Sequence, residues 1–137
     1  MNDVNCIFCK IVNGEIPSAT IYEDEHFRVI LDLMPASKGH ALIIPKSHFR
    51  NLFDLEEHLA AQILVLAKNI MSRMKAALGC EGFNLVQNNE AVAGQTVFHF
   101  HMHLIPRYEG DNAGVRWNSR KLEDKDKEEI LDKLSGL

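Results

Sequence analysis

His99, His101 and His103 put three imidazoles within five residues of a 137-residue chain that holds seven histidines in all. Side chains of an extended strand alternate between its faces, so all three rings would share one face at intervals of about 6.6–6.8 Å. Three chemistries suit such a row. It could be a polar, solvent-facing strand, although surface strands ordinarily use Thr, Lys or Glu there. It could hold a catalytic metal through three histidines, but collinear positions converge poorly on a tetrahedral ion. It could be a nucleophilic site. Neutral imidazole attacks phosphorus near pH 7, and a neighbouring ring N–H can donate to phosphoryl oxygens. The last reading is favoured.

The elements that must position this row can be read from pattern. Thr96 to Ile105 reads as its strand, stopped at Pro106, with Phe98, Phe100, Met102 and Leu104 on the opposite face, toward a helix. The runs Ala19–Tyr22 and Phe27–Leu31, separated by Glu23-Asp24-Glu25, read as a β-hairpin. His40–Ile44, stopped at Pro45, and Phe83–Gln87 supply two more strands. Cys6–Val12 reads as a short helix ending at Asn13-Gly14. A long helix is expected between Asp54 and Gly79. Leu59, Ile63, Leu66, Ile70 and Met74 recur at helical spacing, Asp54 and Glu57 have capping-box spacing, and Gly79 suits the end. Asn88–Gln95 is a polar loop, and Glu123–Leu134 a charged surface helix. Strands on short turns with one long inserted helix predict an α+β fold with a five-stranded antiparallel sheet.

Bulk properties narrow the partners. Hydrophobic residues make up 46% and charged residues 25%, a balance that supports a packed core. A net charge of −4 argues against coating a nucleic acid polymer, which needs a basic face, but leaves room for a mononucleotide. No apolar run approaches the roughly 20 residues of a membrane span. The polar start Met1-Asn2-Asp3 has no signal-peptide pattern, so the expected home is cytoplasmic.

Cys6-x-x-Cys9 has the spacing of half a zinc site. A redox pair would normally precede a helix in a βαβ context, which is not evident here. A pair of buried thiols is the plain alternative, and Cys80 reads as one small buried residue.

Several separated motifs agree in order with one known family. His99-Phe100-His101-Met102-His103-Leu104-Ile105 resembles the His-φ-His-φ-His-φ-φ signature of the histidine triad (HIT) superfamily, φ being apolar. Cys6-Ile7-Phe8-Cys9, Gly14-Glu15-Ile16-Pro17, Gly39-His40-Ala41-Leu42-Ile43-Ile44-Pro45-Lys46, Ala93-Gly94-Gln95-Thr96-Val97 and Pro106-Arg107-Tyr108 are similar to its nucleotide-binding hydrolase branch. The likeness spans about Cys6 to Trp117, with 118–137 as a helical extension of a single 1–137 domain.

The resemblance implies roles. His101 would be the nucleophile that forms a nucleotidyl-histidine intermediate, His103 a donor to the phosphoryl group, and His40 a partner that orients the triad. Asp32 would accept hydrogen bonds from the ribose hydroxyls, and Phe8, Ile11, Ile16 and Leu33 would sandwich the base. Asn88, Gly94, Gln95 and Thr96 would lie on the phosphate side. Cys6, Cys9, His48 and His99 would complete a structural zinc site. The implied assembly is a homodimer with a continuous sheet, Trp117 lying near the partner's site. The implied activity is hydrolysis of a purine nucleotide conjugate, either a nucleoside phosphoramidate or a dinucleoside polyphosphate. The competing reading is a nucleotide-binding regulatory module with incidental turnover.

Overall fold

The computed structural model describes residues 2–137. In chain order the elements are α1 (Ile7–Val12), β1 (Thr20–Glu23), β2 (Phe27–Leu31), β3 (Ala41–Pro45), α2 (Glu57–Leu78), β4 (Gly82–Val86), β5 (Met102–Arg107) and α3 (Asp124–Lys133), with a 3₁₀ turn at Ala91–Ala93 between β4 and β5. The strands form one antiparallel sheet in the order β1-β2-β3-β5-β4. This is the α+β architecture expected from the pattern.

β3 lies at the centre, and every one of its residues is buried. Its side chains alternate between two cores, which is why Ala-Leu-Ile-Ile-Pro reads as a continuous apolar run. Ala41 and Ile43 join Phe27, Val29, Phe100 and Leu104 against α2, where Leu59, Ile63, Leu66, Ile70 and Met74 are all buried as their spacing predicts. Leu42 and Ile44 face the other way, with Ile30, and pack on Phe8, Ile11 and Val12 of α1. The sheet therefore carries the long helix on one face and the short helix on the other. His103 pairs with Leu42 across the β3–β5 ladder and shares the α1 face.

Four local expectations are corrected. β5 begins at Met102 rather than Thr96, so His99 and His101 precede it in irregular chain. Two contacts explain this. Phe100 N–H bonds to the Phe49 carbonyl, and the Pro45 carbonyl is held by the His99 ring at 2.8 Å instead of by a strand backbone. β5 also continues through Pro106 to Arg107. The β3 pairing ends at Leu104, so Pro106 keeps a partner only in β4, and proline is tolerated on such a one-sided stretch. Phe98 does not reach α2. It is 38% exposed and carries the Arg50 guanidinium over its ring at 4.3 Å. Asp54 does not cap α2. Its carboxylate accepts the backbone N–H groups of Arg50 and Asn51, each at 2.9 Å, and the helix starts later, with Glu56 at the cap making no side-chain bond.

The helix end behaves as expected, with Gly79 left-handed at φ 69° and bonded to the Lys75 carbonyl. α3 forms near its expected bounds but buries none of its residues. Gly39 matters more for function, because it delivers the chain to His40. Its φ is +90°, and a Cβ there would lie 2.7 Å from Leu78 Cδ1 and 3.3 Å from Pro106 Cγ. Gly39→Ala is expected to lower stability by about 1–3 kcal/mol through backbone strain and crowding. A fall in the urea midpoint checks this, and an unchanged midpoint would contradict it.

Candidate active site and metal centre

The hydrogen bonds around the histidines fix where each proton resides. The His101 Nδ1 lies 2.8 Å from the His99 carbonyl. A carbonyl can only accept, so His101 is protonated at Nδ1 and its Nε2 carries a free lone pair. His40 is set from its other side, because Ala36 N–H donates to His40 Nδ1 at 2.9 Å. The His40 proton is therefore on Nε2, from which it donates to His103 Nδ1 at 2.8 Å. His103 must then be protonated at Nε2. One ring thus offers a nucleophilic nitrogen and its neighbour a donor N–H, with ring centroids 5.1 Å apart. That is closer than the strand repeat, because His101 sits before β5 begins.

The surroundings keep these rings neutral. Burial pushes the His103 imidazole down to about 4, aided by the neighbouring His101 and His40 and opposed by Asp32. Burial also lowers His101, against the raising effects of its bond to the His99 carbonyl and of Asp32. His40 is lowered by burial and partly restored by Asp32, whose Oδ2 lies 3.6 Å from its Nε2. Asp32 Oδ1 accepts the Met34 N–H at 2.8 Å, closing the turn after β2.

A cleft of about 550 Å³ opens at His40 and His103, and Asn88 and Trp117 also line it. Phe8 stands edge-on to His101, with centroids 5.0 Å apart, and shares its core cluster with Ile11 and, at the margin, Ile16. Leu33, 93% exposed, stands apart from that cluster. Gly94 is left-handed at φ +95°, its carbonyl 3.5 Å from Asn88 Nδ2, and Thr96 is exposed nearby in sequence. Gln95 is 3% exposed, and its amide is already engaged. It accepts from Glu90 N–H at 2.8 Å and donates to the carbonyls of Arg50 at 2.7 Å and Val97 at 3.1 Å. These bonds make it a brace of the loop.

His99 leaves the row. Its Nε2–H donates to the Pro45 carbonyl, and its Nδ1 faces both thiols, each 3.5 Å away. His48 Nδ1 lies 3.2 Å from the same nitrogen and 3.3 Å from Cys9 Sγ. Burial pushes His99 down to about 4 and raises the Cys9 thiol. All four ligand atoms lie within 4.8 Å of one another. A tetrahedral zinc, about 2.0 Å from nitrogen and about 2.3 Å from sulfur, needs edges of about 3.3 Å (N···N) and about 3.5 Å (N···S). The observed separations fit that ion, and the His99 Nδ1, left without a proton by the bond from its Nε2–H to Pro45, faces both thiols and the His48 Nδ1.

Sequence reasoning missed the Ala36 N–H, which sets the His40 tautomer, and it missed Glu90 and Arg50, which fasten the loop before the triad. Backbone donors carry no residue-type signal. For Glu90 the available cue is an acidic residue beside Asn89 in a turn-rich loop, with a basic residue, Arg50, in the segment before the long helix.

A family model described as HIT domain matches residues 13–110. The chain is 44% identical over 131 residues to an uncharacterized HIT-like protein of Methanocaldococcus jannaschii, covering 96% of this chain and 99% of that one. It is 43% identical over 117 residues to the adenosine 5'-monophosphoramidase hnt1 of Schizosaccharomyces pombe, covering 85% of each. Among solved structures, a HIT family protein from Bacillus anthracis superposes with a TM-score of 0.87 at 41% identity over 96% of both chains. A zinc-bound histidine triad family protein from Mycobacterium smegmatis gives a TM-score of 0.77 at 38% identity, covering 85% of this chain and 84% of that one. The motif, the sheet order and these likenesses agree: the chain belongs to the histidine triad family.

Proposed function

We propose that this chain hydrolyses purine nucleotide conjugates, nucleoside phosphoramidates foremost, through a nucleotidyl intermediate on His101. One observation carries the reading. Two independent chains of hydrogen bonds leave His101 with a bare Nε2 and His103 with a protonated one, side by side. The relatives named adenosine 5'-monophosphoramidase in two yeasts support the substrate class.

In the first step His101 Nε2 attacks the α-phosphorus, the P–N bond to the leaving group breaks, and the leaving amine takes up a proton from solvent. The new P–N bond makes the imidazole cationic, and its Nδ1–H stays on the His99 carbonyl, an acceptor well placed for that charge. His103 Nε2–H holds a non-bridging oxygen as charge builds on it. Water then attacks phosphorus and releases a proton to solvent, balancing the one taken up in the first step, the P–Nε2 bond breaks, and the nucleoside monophosphate leaves with His101 neutral again. Splitting one displacement into two is the gain of covalent catalysis. Asp32 is the ribose acceptor in this reading. Phe8, Ile11 and Ile16 form the wall for the base, with Leu33 as its exposed edge, and the loop bearing Asn88, Gly94 and Thr96 meets the phosphate side.

Cys6, Cys9, His48 and His99 hold a structural zinc in the same reading, supported by the edge lengths above and by the zinc-bound relative. The homodimer forms along β4, whose one sheet neighbour is β5 and whose Leu85 is 39% exposed. Trp117 of this chain lines the cleft with its own His40 and His103, which brings the C-terminal segment to the catalytic end of the sheet.

His101→Ala should lower turnover of an adenosine phosphoramidate by at least about 10³-fold. Mass spectrometry of quenched wild-type protein should find an adenylyl adduct on His101. Turnover without any adduct refutes the covalent route, and a wild-type chain that binds AMP but turns nothing over favours the binding-module reading. Metal analysis should find one zinc per chain, lost in Cys9→Ala with a melting temperature lower by about 5 °C or more. Turnover of the folded fraction should fall far less than in His101→Ala, since the ion touches no reacting atom and acts on His101 only through the His99 carbonyl. Finally, ¹⁵N imidazole spectra at pH 7 should find His101 protonated at Nδ1 alone and His103 at Nε2 alone. Because folded His103 titrates near 4 and an unfolded histidine near about 6.5, the unfolded chain binds the extra proton between those values. Stability should therefore fall as pH drops through that window, and spectra with His103 charged at pH 6 would contradict the assignment.

A further inference from the structure

Glu90 holds a backbone conformation that residues with side chains avoid, with φ 74° and ψ 159°. That region is essentially glycine's, and such strain persists only where the surroundings over-determine it. The surroundings of Glu90 do. Its Oε1 accepts from Arg50 Nε at 2.9 Å and Asn51 Nδ2 at 2.8 Å, and its Oε2 accepts from Arg50 Nη2 at 2.7 Å. Its own N–H donates to Gln95 Oε1, and its carbonyl accepts from the N–H groups of Ala93 and Gln95, both at 3.1 Å.

Arg50 and Asn51 belong to the turn between His48 and α2, which Asp54 holds through their backbone N–H groups. Two further bonds join the same turn to the same loop. Gln95 Nε2 donates to the Arg50 carbonyl, and Leu52 N–H donates to Asn89 Oδ1 at 2.9 Å. An exposed ion pair is ordinarily worth little, and the Arg50 and Glu90 side chains are 52% and 43% exposed. This one differs in being bidentate, in sharing its carboxylate with Asn51, which is 2% exposed, and in having its guanidinium seated on Phe98.

Glycine would take this backbone without strain, so the side chain at position 90 must serve another end. We propose that Glu90 is a positioning residue. Its carboxylate, latched on Arg50 and Asn51, fixes the loop that sets Asn88 against Gly94 immediately before the triad. The proposal rests on the hydrolase reading, in which that loop meets the phosphate side. Asn88 and Gly94 touch only loosely, with Asn88 Nδ2 3.5 Å from the Gly94 carbonyl, so their spacing is inherited from the turn between them, which Glu90 anchors. A group misplaced by even an ångström at a reacting phosphate costs rate more than it costs binding.

The test compares Glu90→Gly, Glu90→Gln, Arg50→Ala and the double variant Arg50→Ala/Glu90→Gly. Each is measured by kcat and KM on an adenosine phosphoramidate, by urea midpoint, and by amide hydrogen exchange of residues 91–96. Glu90→Gly should keep or raise the urea midpoint, because strain is released, yet lower kcat about tenfold or more with KM much less affected. Exchange at Ala93, Gly94 and Gln95 should quicken about tenfold. Glu90→Gln, which keeps an acceptor for Arg50 and Asn51, should recover most of both. The double variant should be no worse than the worse single one, as for partners in one interaction. Wild-type kcat and exchange in Glu90→Gly would overturn the proposal, as would a loss of kcat that merely tracks a fall in the urea midpoint. A wild-type chain without turnover would defeat the hydrolase reading instead. The latch would then stand or fall on the exchange rates alone, unchanged rates in Glu90→Gly sinking it.

Discussion

His99 is the residue on which the Cys/His cluster and the orientation of the His101 ring both depend. Its ring spans from the Pro45 carbonyl on one side to the Cys6 and Cys9 thiols on the other, and its backbone carbonyl holds the His101 Nδ1 proton. A fully buried imidazole with both nitrogens engaged cannot turn, so the peptide that follows it cannot turn either. That rigidity decides which His101 nitrogen is free. The cluster of thiols and histidines thus acts on the His101 ring through one peptide unit, by fixing a hydrogen-bond acceptor.

The departure of His99 from its strand is also why the triad works as a set of unlike groups. Three imidazoles on a regular strand would sit in equivalent surroundings and share one face. Here the ladder ends at Met102, and the chain before it is held by Phe49 and Pro45 instead. The three rings then receive different partners: thiols for His99, a carbonyl for His101 and a neutral imidazole for His103. Environment, rather than residue type, distinguishes the three rings.

Much of this was legible in the sequence because it rests on periodicity. The apolar stripe of α2 and the doubly buried run of β3 announce themselves through spacing, and so does the recurrence of Phe100, Met102 and Leu104 on the α2 side of the sheet. What stayed hidden rests on single hydrogen bonds between distant segments. Capping-box spacing at Asp54 and Glu57 pointed to the helix start, but the same carboxylate serves the preceding turn equally well, and there two backbone donors claimed it. Alternation put Phe98 on α2, yet alternation lapses where a strand lapses, and Arg50 covers the ring instead. The bracing bonds of Gln95 stayed hidden for a related reason. A polar residue beside a phosphate loop can face the ligand or the loop, and composition does not distinguish the two.

The two cores explain why the catalytic face tolerates so many buried polar groups. α2 and the apolar face of the sheet form the larger cluster, independent of the histidines apart from the backbone they share. The α1 face carries a smaller cluster, with Phe8 shared between it and His101. Buried imidazoles are costly unless each nitrogen finds a partner. On this face the partners are supplied by one another, by the carbonyls of Pro45 and His99, and by the N–H of Ala36. Removing any one of these leaves a neighbour unsatisfied, so substitutions there should be felt as changes of tautomer before they are felt as loss of fold. The larger core sets whether the chain folds, and the polar chain on the opposite face sets which nitrogen of each ring carries the proton.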